Sequence, residues 1–254
     1  MIYISPNCYI VIDRLLYYRS KTKYLLFKVV VVVVSMSYDN CKDDFLNIPN
    51  QGFYYRSTEL VAKELLGQKL VRIIRKSNNK IYRLSGLIVE TEAYGFDEDR
   101  ASHAYRGLTP RNRSMFGEAG HAYVYFTYGN YYCVNVSARS SEVKAGAVLI
   151  RALQPLEGVH IMKILRNTDD ELALSSGPGK LTQALRIDKS LDGQDMTNAR
   201  TQLHIEYGIK PQRIISSSRV GIREAREKKW RFILASKDEN GDLVSRYVSK
   251  KKID

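Results

Sequence analysis

LIVETEAY, residues 87–94, reads as a strand: apolar and β-branched residues run through it without glycine or proline. Side chains of a strand alternate between its faces. That alternation predicts Ile88, Glu90, Glu92 and Tyr94 on one face and Leu87, Val89, Thr91 and Ala93 on the other. Two carboxylates and a tyrosine on one face are unusual for so apolar a segment. Either the strand is an edge with a solvated acidic face, or the carboxylates face partners and do chemistry.

Upstream, STELVAKELLGQKLVR predicts a helix capped by Ser57, with Leu60, Val61 and Leu65 apolar and Gly67 as the stop. A strand at 69–75, a turn at SNNK (77–80) and a second strand over 81–94 follow. Downstream the pattern predicts a hairpin at 122–137, a strand at 145–153, a helix at 156–166, a short helix near 180–186, and closing strands around 219–221 and 230–235. Strands and helices mixed over about 200 residues predict one compact domain of α/β or α+β class.

The 254-residue chain holds 40 basic and 27 acidic residues, a formal charge of +13. Such an excess points to a polyanionic partner, nucleic acid or an anionic membrane surface, or else serves solubility. Cys8, Cys41 and Cys133 are scattered and odd in number, and His103, His121, His160 and His204 lack zinc-ligand spacing. A disulfide framework and a structural zinc are therefore not expected, and a reducing intracellular compartment is.

Residues 1–36 carry five bases against one acid, so most of the positive excess belongs to the rest of the chain. YLLFKVVVVVV (24–34) is shorter than the roughly 20 residues a membrane helix needs. It reads as a targeting leader, as an extra strand, or as an extension upstream of a functional start at Met36. Residues 37–50 read as a polar linker.

GFDEDRASHAYRG (95–107) brings Asp97, Glu98, Asp99 and His103 after the acidic strand. With Glu90 and Glu92, carboxylates of this kind could hold magnesium in a nuclease; a solvated acidic loop is the alternative. Arg151 lies in the apolar strand GAVLIRALQPL (146–156). A guanidinium there is costly to desolvate alone, so it should pair with Glu92 or Glu90, or else snorkel from an edge. YVYFTYGNYYCVN (123–135) places Tyr128 and Tyr131 beside a Gly-Asn tip. Exposed aromatics at a hairpin tip on a basic body can wedge between bases. SSGPGKL (175–181) lacks the spacing of a nucleotide-binding phosphate loop.

VETEAY (89–94), His103, TPRNRSMF (109–116), YVYFTYGNYYCVN, LIRALQPLEG (149–158), SGPGKL (176–181) and RVGI (219–222), in this order, resemble the alkyladenine (3-methyladenine) DNA glycosylase family. The likeness runs from about Ser57 to Leu234. It implies a monofunctional enzyme that flips alkylated or deaminated purines from duplex DNA and hydrolyses the N-glycosidic bond, with no metal or other cofactor and no AP lyase step. By position, the resemblance makes Glu92 the general base and Arg151 the residue orienting it and its water. Tyr94, His103 and Tyr125 would enclose the flipped base, Asn135 would line its pocket, Tyr128 would fill the gap in the duplex and Tyr131 would support it. Gly-Phe-Asp at 95–97 and Asn130 at the hairpin tip depart from the family pattern.

The combined expectation is a leader and linker over 1–50 and a catalytic domain over 51–254, with a curved, mainly antiparallel sheet, flanking helices and a protruding hairpin. It includes a monomer acting on double-stranded DNA, away from membranes, inside the cell wherever its DNA lies. The leader could direct the chain to an organelle.

Overall fold

A computed structural model describes residues 47–127, 129–237, 243–244 and 247–248, together with the backbone of Leu16–Arg19 and Tyr24–Phe27. The valine run, Tyr128 and the lysines at 250–252 lie outside the described residues. Contacts divide the chain into Met1–Phe45 and Leu46–Asp254. In the first unit, β1 (Leu16–Arg19) pairs antiparallel with β2 (Tyr24–Phe27).

The second unit is built on a curled sheet whose nine described strands all pair antiparallel. At its centre is the 14-residue strand β4 (Ile81–Tyr94). One edge of β4 takes β3 (Lys69–Arg75) along Ile81–Leu87, then β10 (Arg231–Lys237) along Glu90–Glu92. The other edge takes β7 (Ala147–Glu157). From β7 the sheet continues to β6 (Tyr131–Ser137) and β5 (Ala122–Thr127), which pair as the expected hairpin with a turn at Gly129–Asn130. β8 (Leu203–Glu206) pairs with β3, while β9 (Arg213–Ser217) and β11 (Leu243–Val244) pair with β10.

The β4–β7 pairing passes over one residue of β4, Val89, and two of β7, Leu156 and Arg151. Glu90 stands opposite Ala152 and Thr91 opposite Ile150, so Arg151 has no register partner; Val89 is passed over on β4. A bulge of this kind re-aims the side chains beyond it. Leu84 and Ile88 point into the main core, but beyond the bulge Ala93 does so, and Thr91 donates its hydroxyl to the Ala62 carbonyl at 2.7 Å. The expected shared face of Ile88 with Glu90, Glu92 and Tyr94 is thus corrected: Ile88 is a core residue, and the carboxylates face the other way.

The helix Thr58–Glu64 covers the core face, with Val61, Ala62 and Leu65 fully buried. Ser57 caps it, its Oγ accepting the Leu60 N–H at 3.3 Å. Gly67 ends the segment at φ +82°, and a Cβ there would fall 2.2 Å from the Ile209 carbonyl oxygen, so no other residue fits. The helix Pro178–Ala184 buries Leu181 and Ala184 on the same core. Each buried leucine, isoleucine or valine contributes about 1.5–3 kcal/mol. The linker's last residues belong to this unit as well: Ile48 is buried, and the Asn47 carbonyl accepts the Tyr207 N–H at 2.8 Å.

One further expectation needs correction. Residues 219–221 form a loop, because the closing pairing is made by β9 and β10 instead. Neither β8 nor β9 has a counterpart in the sequence reading.

Candidate active site

Beyond the bulge, β4 delivers Glu90, Glu92 and Tyr94 to the side where β7 delivers Arg151. Arg151 bonds both acids: Nε donates to Glu90 Oε1 at 3.0 Å and Nη1 to Glu92 Oε2 at 3.2 Å. It pairs rather than snorkels, with 6 % of its surface exposed. Burial alone would lower its pKa, but Glu92 and then Glu90 overturn that and raise it. Arg231 enters from β10, its Nε 2.7 Å from Glu90 Oε1.

Glu92 is fully buried and accepts three hydrogen bonds. The Tyr94 hydroxyl donates to Oε2 at 2.8 Å, as does Arg151, and the Val220 backbone N–H donates to Oε1 at 2.7 Å. A carboxylate has about four lone-pair positions, so one remains for a further donor such as water. Burial first, then the Glu92 charge, pushes the Tyr94 phenol well above its usual range, so it stays a donor.

Tyr94 and Arg151 open onto a cleft of about 330 Å³ that is also lined by His103, Tyr125 and Asn135. That volume lies within the range of small-molecule sites, about 300–1,000 Å³. His103 and Tyr125 meet edge to face, with ring centres 4.7 Å apart. The His103 Nδ1 also lies 3.0 Å from the Tyr123 hydroxyl. Burial, then Arg111, lowers the His103 pKa. The loop carrying His103 is tied down by buried Asn112, whose Nδ2 donates to the His103 and Gly107 carbonyls at 2.8 and 2.9 Å. Asn135 Nδ2 donates to the Tyr123 carbonyl at 2.9 Å. The structure thus gathers Arg151, Tyr94, His103, Tyr125 and Asn135 around one cleft, with Glu92 directly behind its wall.

Tyr131 lies outside that cleft at the base of the hairpin tip, 42 % exposed. It packs on the helix Pro178–Ala184, where a Cβ on Gly179 would meet Tyr131 Cβ and Cγ at 3.0 Å.

The remaining carboxylates are committed elsewhere. Asp99 is fully buried and grips Arg219 with both oxygens, Oδ2 to Nη1 at 2.6 Å and Oδ1 to Nη2 at 2.7 Å. It also accepts the Gly95 and Ala101 N–H groups at 3.0 and 3.2 Å. Asp97 is exposed, and Glu98 folds back on the Phe96 N–H. Glu90 is held by two guanidiniums. Among the described residues no three histidine, cysteine or acidic side chains converge as a metal ion needs. The nuclease arrangement of Glu90, Glu92, Asp97 and Asp99 is therefore not supported: their charges are spent on arginines or separated.

Four contributors were not singled out in the sequence: Tyr123, the Asp99–Arg219 pair, the Val220 N–H and Cys133. Cys133 stands opposite Tyr125 in the hairpin and lines the cleft; burial raises its pKa. The odd placement of Arg219 in an apolar RVGI segment is the one signal that could have pointed to the pair.

A buried carboxylate behind an aromatic cleft in a basic protein suits a reaction at a planar base. The family model for methylpurine-DNA glycosylase (MPG) matches residues 52–238. The chain belongs to this family.

Several relatives agree over most of their length. A protein of Carboxydothermus hydrogenoformans is 46% identical over 206 residues, 80% of this chain and 99% of its own. One of Methanoculleus marisnigri is 45% identical over 202 residues, covering 78% and 97%. One of Chlorobaculum tepidum is 41% identical over 198 residues, covering 78% and 88%. All three carry the name "Putative 3-methyladenine DNA glycosylase". As a methylpurine-DNA glycosylase family member the chain is a DNA repair glycosylase, with DNA as its substrate. No described helix is long and apolar enough to cross a membrane.

Proposed function

We propose that the chain excises alkylated and deaminated purines, flipped from duplex DNA, by hydrolysis alone. The observation that carries this reading is the position of Glu92: fully buried, oriented by Arg151 and Tyr94, and directly behind a cleft whose wall includes Tyr94, Tyr125 and His103. A flipped purine stacks among these rings, which recovers roughly 1–3 kcal/mol per base against an extrusion cost of a few kcal/mol. Asn135 meets its edge. Tyr128 fills the vacated space in the duplex, with Tyr131 bracing it from the Gly179 surface.

Glu92 uses its remaining lone-pair position to take a proton from water, which attacks the sugar through an oxocarbenium-like transition state. Arg151 keeps the carboxylate aimed. A cationic alkylated purine leaves without help, whereas a neutral deaminated purine must gain a proton as it departs.

The described residues lining the cleft include arginines and no lysine, which favours water over an amine as nucleophile and leaves an abasic strand uncut. We assign the activity to residues 51–254 acting as a monomer, inside the cell with its DNA, and residues 1–50 to a leader and linker whose last residues pack on the catalytic domain.

Duplexes carrying hypoxanthine, ethenoadenine or 7-methylguanine test the reading. Release of free base in EDTA, with strand breakage only after alkali, is expected. Strand breakage without alkali, or loss of activity in chelator, would overturn it. Sedimentation at the mass of one chain tests the monomer.

A further inference from the structure

We propose that Glu90 and Arg231 are positioning residues that balance the charge and fix the aim of the Glu92–Arg151 pair. This rests on the reading of Glu92 as the base.

Four charged side chains alternate in sign across three adjacent strands. Arg231 of β10 donates to Glu90 of β4 at 2.7 Å, Glu90 accepts from Arg151 of β7 at 3.0 Å, and Arg151 donates to Glu92 of β4 at 3.2 Å. The two acids are fully buried, and Arg231 and Arg151 are 1 % and 6 % exposed. Water therefore screens little of their interaction.

Two roles follow from this order. Glu90 and Glu92 share one guanidinium through different nitrogens, so Glu90 fixes the orientation in which Arg151 reaches Glu92. Without Arg231, however, Glu90 would lose one of its guanidinium partners and draw more strongly on Arg151, leaving more negative charge beside Glu92. Arg231 thus makes the presence of a second buried acid tolerable. The bulge that leaves Arg151 without a register partner allows it to reach both acids.

Other groups face Glu92. Tyr94 and the Val220 N–H bond it directly; Tyr125, Cys133 and Arg219, which is neutralised by Asp99, stand close enough to be felt. Substitutions at Glu90 and Arg231 leave all of these groups in the sequence, so they test the relay itself.

The test is single-turnover excision of hypoxanthine from duplex DNA between about pH 4 and 8, in the full chain. Arg231→Met is expected to move the acidic limb of the rate profile up by about 1–3 pH units, and Glu90→Gln to move it down. Arg231→Lys, which keeps the charge, leaves it near the wild-type position. The double variant Glu90→Gln/Arg231→Met returns the limb toward wild type. Affinity for duplex bearing an abasic-site analogue stays unchanged throughout.

Limbs that do not move in the single variants, or a double variant shifted as far as Arg231→Met, would overturn the proposal. Should Arg231→Met fail to fold, Glu90→Gln decides alone: a downward shift supports the relay and an unmoved limb rejects it. Glu92→Gln separates the two layers. Retained excision there defeats the reading of Glu92 itself, whereas an inactive Glu92→Gln with unmoved limbs elsewhere defeats only the relay.

Discussion

The guanidinium of Arg219 lies 4.8 Å from the centre of the Tyr94 ring, held there by both oxygens of Asp99. One wall of the cleft is therefore backed by a buried ion pair that also closes the turn at Gly95–Ala101. Removing one partner of such a pair leaves the other charge buried and uncompensated. Asp99→Ala should cost about 3–5 kcal/mol of stability, read as a lower urea midpoint. A midpoint within error of wild type would show that Arg219 finds another partner.

Glu92→Gln keeps the shape of the side chain and removes its capacity to take a proton. Excision of hypoxanthine should fall by about 10²–10⁴-fold, the usual contribution of a general base. Affinity for lesion-bearing duplex should be largely kept, as measured by fluorescence anisotropy.

His103 lies below the ordinary imidazole value of about 6.5, through burial first and Arg111 second. The unfolded chain therefore takes up this proton first as pH falls. The stability it contributes is complete above about pH 6.5 and is lost as pH drops through the lowered folded value. An NMR titration should give a His103 midpoint below 6.5, and Arg111→Gln should move it upward.

A Cβ on Gly179 would sit 3.0 Å from Tyr131 Cβ and Cγ, so the tyrosine would have to give way by a few tenths of an ångström. Gly179→Ala should push the base of the hairpin tip outward and cost about 1–3 kcal/mol from overpacking. Excision from a fully paired duplex should suffer more than excision from a mismatched one, where extrusion is easier. Equal losses on both substrates would separate Tyr131 from base extrusion.

Much of this architecture was legible locally. The bounds of β3 and β4, the Ser57 cap, the Gly67 stop and the 122–137 hairpin follow from patterns within a few residues. Arg151 was legible through cost: a guanidinium in an apolar strand has to find an acid, and two were nearby in composition. The phase of β4 was not legible, because alternation assumes unbroken pairing and the skipped Val89 depends on how β7 lies alongside. Asp99 and Arg219 are 120 positions apart, and only the fold joins them. β8 is four residues long and acquires its identity from β3.

The skipped residue in β4 also bears on which length changes this protein can survive. Deleting Val89 would keep Ile88 inward and the acids outward by simple alternation, so both faces of the strand would survive. What would change is reach: one half of the strand would slide by one residue, about 3.3 Å, along β7. A one-codon loss here should therefore spoil the aim of the acids at Arg151 before it unfolds the chain.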